Sequence, residues 1–99
     1  MENNNENKIV NYLFKCGVRP HLKGVRYLYK AIKIIIENDG VMPKITKCIY
    51  PEVAREYRDT PSRVERACRN AIQTAKPEYK FLSVGEFIAG AAVRVACGK

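Results

Sequence analysis

Apolar residues recur along this chain at helical intervals. Ile9, Val10, Leu13 and Phe14 predict a short first helix, closed by Gly17. Pro20 and His21 open a second, longer helix, with Val25, Leu28, Tyr29, Ile32, Ile35 and Ile36 as its buried stripe. Asn38-Asp39-Gly40 ends it, the glycine suiting a left-handed cap. β-branching alone reads Ile34-Ile35-Ile36 as a strand, but the stripe passes through it at helical spacing, so the helix stands. A short third helix over 43–49 carries Ile45, Cys48 and Ile49, and Pro51 opens a fourth with Val53, Ala54 and Tyr57 inward. The last helix begins with a capping box, Ser83-x-x-Glu86, carries Val84, Phe87, Ile88, Ala91, Ala92 and Val95 inward, and stops at Gly98. Residues 1–7 are polar and predict a disordered N-terminal tail, leaving 8–99 as a single domain. The pattern is all-α, a bundle of about six helices with no convincing strand.

The fifth helix is the most informative. Thr60 is a natural N-cap, and Pro61 takes the first helical position, where its missing N–H costs nothing. Val64, Ala67, Cys68, Ala71, Ile72 and Ala75 form one stripe up to Lys76-Pro77, because the residue before proline disfavours helical geometry. Ser62, Arg66, Arg69 and Gln73 fall opposite that stripe, with Arg63, Glu65 and Asn70 on its flanks. With the short helix before it and the turn Arg58-Asp59-Thr60, this is the outline of a helix-turn-helix. Small residues at Ala54 and Ala67 allow a close crossing, and the front mixes Arg, suited to guanine, with Glu65, which can accept from cytosine. An ordinary helical hairpin with a solvated basic face fits the same spacing.

Charge sharpens this picture. The formal charge is +8, which favours an anionic partner without saying which. Seven basic residues (Lys8, Lys15, Arg19, Lys23, Arg26, Lys30, Lys33) precede any acidic one after Glu6, and Arg55, Arg58, Arg63, Arg66 and Arg69 cluster about the turn. Two basic regions suit a protein gripping phosphates on either side of a groove. At Pro20-His21-Leu22-Lys23-Gly24, backbone N–H groups with Lys23 could hold a phosphate; a plain helix start with a solvated His21 fits equally. The six tyrosines sit at helical spacing and read as packing before base stacking.

Other chemistry finds little support. Cys16, Cys48, Cys68 and Cys97 include no C-x-x-C pair, and His21 is the only histidine, which argues against metal. Cys48 and Cys68 fall on apolar faces as reduced, structural thiols of a cytoplasmic protein, and Cys97 is the one expected to be exposed. One histidine allows no Ser–His–Asp arrangement, and no glycine-rich phosphate loop is present, so neither an enzyme nor a cofactor is expected. No apolar run spans a bilayer, and the start M-E-N-N-N-E-N lacks the basic and apolar regions of a signal peptide.

Three segments carry a family resemblance: G-V-R-P-H-L-K-G-V-R-Y-L-Y-K-A-I at 17–32, I-T-K-C-I-Y-P-E-V-A-R-E-Y at 45–57 and T-P-S-R-V-E-R-A-C-R-N-A-I at 60–72. With a weaker G-E-F-I-A at 85–89, the chain resembles the C-terminal DNA-binding domain of the sporulation stage-zero master response regulator of endospore-forming bacteria. The resemblance implies a sequence-specific regulator of transcription that binds double-stranded DNA, with helix 61–76 in the major groove. It places base reading on Arg63, Glu65 and Arg66, and backbone contacts on Ser62, Arg69, His21, Lys23 and Gly24. Two departures stand out. No receiver domain precedes the helices, so no aspartyl-phosphate switch is expected within this sequence. The connection 76–82 is also shorter than the family's, which puts in doubt a homodimer on tandem sites. A module that binds another regulator protein instead of DNA is the competing reading.

Overall fold

The computed structural model describes residues 4–38 and 45–96, and among them it contains six α-helices, one π-helical turn and no strand. The helices are α1 (Asn4–Cys16), α2 (Lys23–Glu37), α3 (Tyr50–Tyr57), α4 (Pro61–Gln73), α5 (Pro77–Lys80) and α6 (Val84–Ala96). The π-helical turn Ile45–Ile49 runs directly into α3. The anticipated second-helix end at Asp39-Gly40, the start of the third helix at Pro43-Lys44, and Cys97 and Gly98 lie outside the described residues.

α1 starts at Asn4, so residues 4–7 of the segment expected as a tail are helical. It ends where expected, at Gly17, whose φ of +91° suits glycine and whose N–H donates to the Phe14 carbonyl at 3.0 Å. The neighbouring Cys16 carbonyl accepts from the Lys76 N–H at 2.8 Å, and the Arg19 N–H donates to Thr74 Oγ1 at 3.1 Å. The loop between α1 and α2 is thus clipped to the chain just beyond α4.

α2 is the central helix and packs against α1, α3, α4 and α6. It begins at Lys23 rather than at Pro20-His21, which lie in a preceding turn with the Leu22 N–H donating to Arg19. Its buried arc is also rotated from the expected stripe. Gly24, Tyr27, Leu28, Ala31, Ile32 and Ile35 are buried, while Val25, Tyr29 and Ile36 are only half-buried. The cause lies in the small residues. A Cβ on Gly24 would stand 2.0 Å from the Ala67 carbonyl oxygen, so α4 crosses α2 where only a glycine fits. The helix turns that face inward, and Tyr27 is carried with it.

The π-helical turn corrects another expectation. Cys48 is exposed and Ile49 buried, because the wider turn breaks the i, i+3, i+4 register that had put both inward. α4 ends at Gln73, not Lys76: Thr74 donates its hydroxyl to the Ala71 carbonyl at 2.7 Å, and Lys76 is extended ahead of Pro77. The connection 76–82 then holds the single turn α5. The capping box at the start of α6 forms as anticipated. Ser83 N–H donates to Glu86 Oε1 at 2.9 Å, and Glu86 N–H to Ser83 Oγ at 3.1 Å. All six expected residues of α6 are buried, and Phe87 packs against Tyr12 and Tyr79 with ring centroids 6.4 and 6.0 Å away. With Ile9, Leu13, Leu28, Ile32, Val53, Val64, Cys68, Ile72 and Ile88 fully buried around it, one core joins α1, α2, α3, α4 and α6, and Tyr79 of α5 packs against it half-buried. Each large side chain in it contributes about 1.5–3 kcal/mol.

Candidate nucleic-acid interface

The turn between α3 and α4 is built from three residues with separate tasks. Arg58 takes the left-handed conformation, φ 55° and ψ 50°, and is the one non-glycine residue with positive φ among those described. This lets the Asp59 N–H reach back to the Ala54 carbonyl at 2.8 Å, closing the end of α3. For a residue with a Cβ this conformation costs about 1–2 kcal/mol. Thr60 then caps α4, its Oγ1 accepting from the Arg63 N–H at 3.2 Å while its carbonyl accepts from the Val64 N–H at 2.9 Å.

Asp59, between them, ties the turn to the rest of the domain. Its Oδ2 accepts from the Tyr27 hydroxyl at 2.6 Å and its Oδ1 from the Thr60 N–H at 2.9 Å. The Arg63 guanidinium lies 3.9 Å from the same Oδ1. These hydrogen bonds, that of Tyr27 foremost, with the nearby Lys23 and Arg63 charges, hold the carboxyl below its ordinary range. The Tyr27 ring packs on Tyr57 with centroids 5.3 Å apart, and burial together with the bond to Asp59 raises its hydroxyl to about 12. The sequence pattern places Asp59 in the turn and reads Tyr27, with the other tyrosines, as a packing residue, but it does not join the two. The signal available was Asp-Thr-Pro, an acidic residue just before an N-cap and an N1 proline.

α4 turns its stripe inward as expected, with Val64, Cys68, Ala71 and Ile72 buried and Ala67 half-buried at the close crossing. The opposite face, Ser62, Arg66, Arg69 and Gln73, is exposed along its length. The structure divides the anticipated contact residues among three places. Arg66 stands at the middle of that face, with no side-chain hydrogen bond or ion pair among the described residues. Arg69, on the same outer face, pairs with Glu65 on one flank, near Tyr50 of α3, and Glu65 is only 30% exposed. Arg63 occupies the other flank beside Asp59.

Lys23 joins that second flank, since its charge acts on the same Asp59 carboxylate. It is the first residue of α2, a helix with no side-chain cap and no acidic residue in its first turn. His21 is exposed in the turn just before. Gly24 differs from its neighbours. It is buried under α4, and its observed part is to set the spacing between the two helices.

A short helix, a tight left-handed turn and a longer helix with a cationic outer face, held on a helical bundle, define a helix-turn-helix domain. Residues 9–93 match the family described as sporulation initiation factor Spo0A C terminal, and the chain belongs to that family. It is a family of DNA-binding domains that regulate transcription in sporulation, not one of enzymes. No helix among the described residues is long and apolar enough to cross a membrane.

Proposed function

We propose that this protein is a sequence-specific transcriptional regulator that lays α4 in the major groove of double-stranded DNA. Arg66 reads base edges from the middle of the outer face, with Arg63 on one side and Glu65 on the other. Ser62, Arg69, His21 and Lys23 contact the phosphate backbone, and Gly24 serves that contact by letting α2 lie close against α4. The observation that carries the reading is Arg66, central on an exposed polar face and without a hydrogen-bond or ion-pair partner among the described residues. A guanidinium so placed has no structural duty and has the planar fork that suits guanine. The pairing of Glu65 with Arg69 adds support, since it fixes a carboxylate at the edge of that face. Such a regulator works in the cytoplasm and needs no cofactor.

Selection of bound duplexes from a random library, read by mobility shift, tests this. The proposal expects one enriched box and, if about five phosphates are neutralised, a slope of log K against log salt of roughly −4 to −5. Weak, salt-labile binding without a motif would favour the second reading, a domain that docks on another regulator. One feature supports that alternative: Phe81, beside α5, is 91% exposed, unusual for a large apolar side chain. The spacing of paired boxes in the selected pool would reveal a homodimer on tandem sites.

A further inference from the structure

We propose that Arg58 is a further DNA-backbone contact, kept in a strained turn position for its charge; this rests on the DNA-binding reading above. Three observations meet at this residue. Its backbone is left-handed, a conformation that glycine adopts freely and arginine does not. The fold itself asks nothing of the side chain there, because closure of α3 uses only backbone groups, the N–H of Arg58 and of Asp59 on the Ala54 carbonyl. The guanidinium is exposed and makes no hydrogen bond or ion pair among the described residues.

The neighbours of Arg58 show what the charge can meet. Arg55 is drawn to Glu52 at 3.5 Å, Arg63 to Asp59, and Arg69 to Glu65, so three of the arginines around the turn already have carboxylates. Arg58 and Arg66 have none among the described residues. They differ in position: Arg66 is in the middle of the outer face of α4, whereas Arg58 precedes the helix. Its own neighbour Asp59 is shared by Lys23 and Arg63, so Arg58 adds positive charge at the end of the interface where α2 and α4 begin. A cation at that edge faces the sugar-phosphate backbone beside the groove and carries no base preference of its own. Strained geometry is tolerated at binding sites when the strained residue serves the ligand, and here the side chain is the only part of Arg58 left to do so.

Binding and stability should therefore move in opposite directions on substitution. Arg58→Gly is expected to raise the urea midpoint while weakening every duplex, selected or random, by roughly three- to tenfold, and to reduce the salt slope by about one. Arg58→Lys keeps the charge and the strain, and should retain both the wild-type midpoint and the wild-type salt slope. If Arg58→Gly stabilises the domain with affinity and salt slope unchanged, Arg58 is a turn residue only and the inference is overturned. If Arg58→Lys loses the same unit of salt slope as Arg58→Gly, the contribution is not one of charge and the inference fails as well. Absence of duplex binding by the unsubstituted protein would instead overturn the DNA reading itself.

Discussion

Gly24→Ala offers a sharp test of how α2 positions α4. The added Cβ would stand 2.0 Å from the Ala67 carbonyl oxygen, 2.7 Å from its carbon and 2.9 Å from Ala71 Cβ. The first distance falls short of ordinary van der Waals contact by about 1.4 Å, and the obstacle is backbone, which cannot rotate aside as a side chain can. Overpacking costs about 1–3 kcal/mol, and a backbone obstacle places this case at the upper end. Replacing glycine inside a helix returns at most about 1 kcal/mol, and less in a first turn. The net expectation is a loss of about 2 kcal/mol, from a domain whose whole stability is of order 5–15 kcal/mol. With a urea dependence of about 1–3 kcal/mol per molar, the midpoint should drop by roughly 1 M. DNA affinity should fall too, since α4 is forced away from the helix that carries Lys23. Gly90→Ala is the matched control. The same methyl on α6 meets nothing within 4 Å and should stabilise by about 0.5–1 kcal/mol. If Gly24→Ala proved neutral or stabilising, the close crossing of α2 and α4 would be refuted.

Other expectations follow from the clamp and the core. Tyr27→Phe removes the hydroxyl that donates to Asp59 and should lower stability by about 1.5–3 kcal/mol, measured by urea unfolding, without touching an outward residue of α4. Asp59 has a folded pKa below its unfolded one, so its contribution is complete above the usual carboxylate range near pH 4 and is lost as pH falls through the folded value. Acid unfolding curves should therefore lose this component in Asp59→Asn, and an unchanged acid profile would sink the assignment. Burial pushes the Cys16 thiol up and the Cys68 thiol to about 12, whereas Cys48 is exposed. Mass mapping after brief treatment of the native protein with an alkylating reagent should find Cys48 modified and Cys16 and Cys68 spared until the chain unfolds.

Features governed by local chemistry were legible in the sequence. Thr60-Pro61 fixes the start of α4, Ser83-x-x-Glu86 the start of α6, and both helices bury the stripes their spacing predicts. What escaped depends partly on contacts distant in sequence and partly on local backbone geometry that helical periodicity does not describe. The rotation of α2 is set by Gly24 meeting Ala67 and by Tyr27 finding Asp59, and a pattern of large apolar residues gives small residues and a polar-tipped ring too little weight. The end of α4 depends on one hydroxyl, that of Thr74, and the exposure of Cys48 on a π-helical turn that ordinary helical periodicity does not describe. In the interface, the arginines could be assigned to a face by counting. Which of them are held by carboxylates, and that Arg58 sits in a left-handed turn, is set by side-chain and backbone geometry that counting along a helix does not capture.

The central claim is that the outer face of α4 reads base sequence, and Arg66→Ala tests it most directly. Affinities of the unsubstituted and substituted proteins would be compared on the selected box, on each single-base variant of it and on random duplex. The account predicts a loss of about 1–3 kcal/mol on the selected box, roughly five- to 150-fold, with base preference relaxed at one position and random duplex nearly unaffected. Equal weakening on selected and random DNA would contradict it, leaving Arg66 as one more phosphate contact.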